Sequence, residues 1–207
     1  MGFGQLTDVV KNLIIVNVIV FAGVWSLMGD NGYNLALFYP TSTFFEPYQL
    51  VTHMFMHANT SHLFFNMFGL FIFGPLVEQT LGMKKFFQLY LFAGFGALLL
   101  HLGIKYLEIY HLGGDPRMIN APMLGASGAL MGVVAAFATL FPNMRIQLLF
   151  PPIPMKAKHM ALLYIGLDLY LGVSGSSTGV AHFAHIGGAL FGFLFIRYFG
   201  KDDFRIN

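Results

Sequence analysis

Hydrophobic residues along this chain come in long unbroken runs rather than in the alternation of a half-buried strand or the stripe of a surface helix. Six such segments stand out: Asn12–Met28, His62–Thr80, Lys85–Leu107, Ser127–Phe141, Met160–Gly172 and Ala181–Phe199. A helix that crosses about 30 Å of hydrocarbon needs about 20 mostly apolar residues. The pattern therefore predicts an all-α, polytopic membrane protein with six transmembrane helices, the fourth and fifth short for a full span. Pro142, Pro151, Pro152 and Pro154 punctuate the turn between them. No repeat, low-complexity stretch or linker interrupts residues 1–207, which read as one membrane domain. Only Lys11 precedes the first segment closely and no small-residue cleavage site follows, so it reads as a retained helix rather than a signal peptide.

Composition sharpens this. Of 207 residues, 57% are hydrophobic and only 10% charged, against roughly a quarter charged in soluble domains. The absence of cysteine excludes thiolate metal sites and cysteine nucleophiles. A formal net charge of +2 gives no footprint for nucleic acid. The positive charges divide unevenly. Lys11, Lys84, Lys85, Arg145, Lys156, Lys158, Arg197, Lys201 and Arg205 fall on one side of the six-helix scheme, and Lys105 and Arg117 on the other. Cytoplasmic loops carry the excess of Lys and Arg, which places both termini inside. The long loop Gly29–Ser61 is then external, and its Phe44, Phe45 and Tyr48 suit the interfacial layer.

Polar groups at membrane depth are costly and mark function by default. His62 and Asn66 open the second segment, Ser127 opens the fourth, Asp168 lies in the fifth, and His182 and His185 lie in the sixth. Ser127 precedes Pro142 by 15 residues, His185 precedes Arg197 by 12, and Asn66 precedes Glu78 by 12. At about 1.5 Å per residue, all three lie roughly 18–24 Å above the inner face. Gly128-Ala-Leu-Met-Gly132 and Gly188-Ala-Leu-Phe-Gly192 both permit close helix approach. That predicts a contact between the fourth and sixth segments. Ser127 as nucleophile and His185 as general base would form a catalytic pair. The Ser127 N–H, Asn66 and His62 are candidate donors to an oxyanion. No acidic residue stands near His185 in sequence, so a third member is not evident. Asp168 must face the cavity, find a donor or stay protonated; a structural role, or modulation of substrate entry, is expected for it. His182 is expected to line the same cavity as a bystander, and His57 to be structural. His53 and His57 are spaced for a shared metal, but no carboxylate completes a site, so no metal and no cofactor are expected.

Gly125-Ala-Ser-Gly, His57-x4-His62-x3-Asn66 and Ala184-His185-x2-Gly188 together resemble the rhomboid intramembrane serine proteases of bacterial type, with a six-helix core. The resemblance spans nearly the whole chain. It implies a serine endopeptidase with Ser127 as nucleophile, His185 as base, and His62 and Asn66 at the oxyanion positions. Its partners would be single-span membrane protein substrates and lipid, with no nucleic acid. It also implies a bacterial inner membrane and a site open to the external side. Glu78 matches the family's acidic residue near the inner end of the second helix. Met131 stands where many members carry an aromatic residue, and Tyr48-Gln49 where a Trp-Arg pair is frequent. The alternative is a catalytically inactive relative that binds or dislocates membrane clients. A transporter would show related half-repeats, and none is visible.

Overall fold

The computed structural model describes residues 6–28, 33–147, 153–174 and 181–200. Pro151, Pro152, Lys201, Arg205 and the start of the Gly29–Ser61 loop lie outside these. Seven α-helices run in chain order among the described residues: α1 (Asp8–Gly23), α2 (Gln49–Thr52), α3 (Thr60–Leu81), α4 (Met83–Tyr110), α5 (Ser127–Leu140), α6 (Ala157–Val173) and α7 (His182–Phe199). Each of the six apolar segments is helical, and α1 continues as a π-helical stretch to Met28. Three helices, α1 with its continuation, α3 and α4, are long and apolar enough to cross a membrane by length and composition. Helices α5, α6 and α7 have 14, 17 and 18 residues, and α5 is only about 21 Å long. A two-stranded antiparallel hairpin, β1 (Arg145–Gln147) and β2 (Pro154–Lys156), links α5 to α6.

Helix α5 is the most enclosed element, with ten buried residues among its fourteen. Small side chains make this possible. A Cβ at Gly188 would lie 1.8 Å from the Gly128 carbonyl oxygen, and one at Gly192 would lie 2.2 Å from that of Gly132. Backbone therefore touches backbone between α5 and α7, as the paired GxxxG patterns predict. Helix α4 joins them through a stripe of small residues that the sequence reading did not single out. Ala97 and Ala93 lie against Gly128 and Gly132, and Gly187 meets the Gly96 carbonyl.

The junction of α1 with the end of α3 is fixed by a buried carboxylate. Glu78 on α3 accepts hydrogen bonds from the Thr7 hydroxyl and from the backbone N–H groups of Val9 and Val10, at 3.0 and 2.9 Å. The first turn of α1 has N–H groups with no intrahelical acceptor, and a carboxylate on a neighbouring helix supplies one. On the opposite side Gln49, fully buried, organises the long loop. Its amide donates to the Asn34 and Phe44 carbonyls and accepts from the Phe38 N–H. Helix α6 is packed differently: its buried residues, Ala157, Met160 and Ala161, all lie in its first turns.

Because the α5–α7 contact excludes any Cβ, Gly188→Ala or Gly192→Ala should cost about 2–3 kcal/mol through forced separation of the helices. Gly103→Ala on α4, where nothing lies within 4 Å, should be neutral or stabilise by up to about 1 kcal/mol. Thermal unfolding of the three variants in detergent tests the contrast.

Candidate active site

Five segments converge on one cavity of about 380 Å³, walled by His53, His62, Ala97, Gly125, Ser127 and His185 among others. Ser127 is the first residue of α5, where backbone N–H groups have no intrahelical acceptor. The preceding turn holds it there. Gly125 has φ +123°, a conformation open mainly to glycine, and its N–H donates to the His53 carbonyl at 2.8 Å. A Cβ at this position would also strike the His62 ring at 2.8 Å. The glycine thus serves both conformation and close approach.

Across the α5–α7 contact, His185 Nε2 lies 2.8 Å from Ser127 Oγ. The predicted pair therefore forms, and the glycine spacing explains why: His185 stands three residues before Gly188 and shares its face. His62 is placed by a helix cap. Asn59 Oδ1 accepts the His62 backbone N–H at 2.8 Å, which fixes the start of α3 and the direction of this side chain. The Ala58 N–H points at His62 Nδ1, at 3.4 Å. That leaves the proton on Nε2, the atom facing Gly125 and Ser127. Asn66, one turn along α3, is buried and donates through Nδ2 to the His62 carbonyl at 2.9 Å. Its second amide hydrogen is uncommitted by that bond.

The structure adds a residue to the pair. Asp168 on α6 approaches His185 Nδ1 with both carboxylate oxygens, at 3.2 and 3.1 Å, and His182 Nδ1 with Oδ1 at 2.7 Å. The sequence reading left His185 without an evident acidic neighbour, since Asp168 is seventeen positions away and on another helix. Its one signal was a carboxylate in an apolar run, which needed a donor and has found two. His182 contacts Asp168 instead of standing by in the cavity. His57 is buried with its ring edge-on to His62, centroids 5.0 Å apart. Among the described residues no group of three or more His, Cys, Asp or Glu side chains is arranged to hold a metal ion.

A hydroxyl hydrogen-bonded to an imidazole, with a carboxylate on the far ring nitrogen, is the arrangement by which serine hydrolases activate a nucleophile. Here it is built at the meeting of apolar helices. The rhomboid domain family model matches residues 45–202, and the chain belongs to the rhomboid family. It is 32% identical over 177 residues to the rhomboid protease AarA of Providencia stuartii, covering 81% of this chain and 59% of that protein. It is 35% identical to the mitochondrial RHOMBOID-like protein 6 of Arabidopsis thaliana and 32% to the mitochondrial Rhomboid protein 1 of Saccharomyces cerevisiae. Those matches cover 72% and 73% of this chain, and 42% of each relative. The chain thus spans about half the length of the curated relatives it matches. Family and apolar helices together make this a membrane protein.

Two histidines of the segment between α1 and α3 bear on stability. Burial holds His53 and His57 down to about 4 from the ordinary 6.5; the Gln49 carbonyl partly offsets this for His53, and neighbouring His62 adds to it for His57. Both stay neutral in the folded chain while the unfolded chain takes up protons below pH 6.5. Stability should accordingly fall as pH drops from 6.5 towards 4, by up to about 3 kcal/mol for each. Melting temperatures in detergent across this window should decline, and a His57→Phe variant should show the shallower slope.

Proposed function

We propose that this protein is an intramembrane serine endopeptidase that cleaves transmembrane segments of single-span membrane proteins. The observation that carries the reading is the 2.8 Å contact between His185 Nε2 and Ser127 Oγ. Ser127 Oγ attacks the scissile carbonyl carbon while its proton passes to His185 Nε2. The new C–O bond leaves a tetrahedral oxyanion, held by the Ser127 N–H, His62 Nε2–H and an Asn66 amide hydrogen. Collapse breaks the C–N bond, and His185 returns the proton to the departing amine. Water, deprotonated by His185, then cleaves the acyl ester, and Ser127 recovers its proton. No resident cofactor takes part.

On this reading all six apolar helices cross the bilayer. The basic residues keep both termini in the cytoplasm of a bacterial cell, and the cavity opens to the external side. Irregular backbone survives in lipid only where protein or water satisfies it, so a substrate helix must unwind to enter. Small or helix-breaking residues near its outer end favour cleavage for that reason.

Ser127→Ala and His185→Ala should abolish proteolysis of a single-span model substrate in proteoliposomes. His62→Ala and Asn66→Ala should each lower it by about 10²-fold. Undiminished cleavage by purified Ser127→Ala would overturn the assignment. Several relatives are named rhomboid-like rather than protease, which gives the non-catalytic, client-binding reading its support. A fluorophosphonate probe separates the two: labelling at Ser127 that requires His185 belongs to the enzyme.

A further inference from the structure

Asp168 is one carboxylate facing two imidazoles. Its Oδ1 lies 2.7 Å from His182 Nδ1, and its two oxygens lie 3.2 and 3.1 Å from His185 Nδ1. All three side chains are largely enclosed, with 7%, 16% and 13% exposure for His182, His185 and Asp168. A carboxylate offers about four lone-pair sites and no hydrogen, so it satisfies both rings when each carries its proton on Nδ1. For His185 that tautomer has a consequence. With hydrogen on Nδ1, Nε2 presents a lone pair to the Ser127 hydroxyl, which is the arrangement a base requires. With hydrogen on Nε2, the ring would instead donate to the Ser127 oxygen across 2.8 Å and could not take up its proton.

We propose that Asp168 is a positioning residue that fixes the tautomer and ring orientation of His185, turning the serine–histidine pair into a triad whose third member is brought in by α6. His182 shares the same carboxylate and thereby makes its charge indispensable. An amide in place of the carboxylate has one oxygen and one NH2. Asn at this position keeps one acceptor oxygen and puts an NH2 donor where Oδ2 now faces His185 Nδ1, so an Nδ1–H on that ring meets a donor and its proton is driven towards Nε2. The shorter contact belongs to His182, so His182 keeps the acceptor and His185 takes the wrong tautomer. Removing His182 frees the single oxygen for His185. Loss of His182 should therefore repair part of the damage done by Asp168→Asn, an outcome that no purely structural role for Asp168 anticipates.

This inference rests on Ser127 being the nucleophile, and the test separates the two. Fluorophosphonate labelling of Ser127 in detergent-solubilised full chain, and kcat and KM on a single-span model substrate, are measured for wild type, Asp168→Asn, Asp168→Glu, His182→Ala and the Asp168→Asn/His182→Ala double variant. Asp168→Asn should slow labelling by about 10- to 100-fold and lower kcat with KM little changed. Asp168→Glu should retain more rate than Asn, and the double variant should label faster than Asp168→Asn alone. Nitrogen-15 NMR of histidine-labelled protein, with His185→Gln to assign the signal, should report Nδ1–H for His185 in wild type and Nε2–H in Asp168→Asn. That reading needs no turnover, so it stands even if Ser127 cleaves nothing. Labelling of Asp168→Asn within twofold of wild type, a double variant no faster than Asp168→Asn, or an Nε2–H His185 in wild type would each overturn the proposal.

Discussion

Everything at the centre of this molecule depends on two helices approaching so closely that no side chain fits between them. A Cβ at Gly188 or Gly192 would fall inside the van der Waals radius of a carbonyl oxygen on α5. In an apolar solvent there is little hydrophobic gain from packing one helix on another, so dispersion between backbones has to supply the attraction. Such contact is also unforgiving in register, because a glycine must meet a carbonyl at each turn. Register is what a hydroxyl and an imidazole on separate helices need. With Ser127 next to Gly128 and His185 three residues before Gly188, the glycine contact positions the pair without any hydrogen bond having to hold the helices.

Around that contact, polar groups are spent at ends and edges. Glu78 completes the first turn of α1, Asn59 caps α3 and aims His62, and Gln49 gathers three backbone groups of the long loop. Each satisfies backbone groups that an apolar surrounding would leave unpaired at substantial cost. The site inherits its geometry from these devices. Gly125 reaches the His53 carbonyl from one side and the His62 ring from the other, so the turn before Ser127 is clamped by the loop as well as by α5.

In helix α6 the buried residues are confined to the first turns, and in its second half polar contact with α7 runs through Asp168. The electrostatic partner of His185 is therefore carried by a helix with only three buried residues. A carboxylate there is costly unless donors meet it, and the two histidines of α7 are those donors.

Much of this architecture is legible in the order of residues along the chain. Hydrophobic runs located the helices because an apolar segment of that length has few other folded options. Counting residues along two of those helices anticipates that Ser127 and His185 stand level, because a helix has a fixed rise. The glycine pairs named the helices that touch because only small residues allow it. Periodicity along a chain says nothing, however, about which helices become neighbours when no small-residue signature marks both. Packing alone brings α4 to the α5–α7 seam and Asp168 to His185. Each of these is a sideways relation between segments far apart in sequence, and such relations are settled by packing in three dimensions, where linear spacing carries no information.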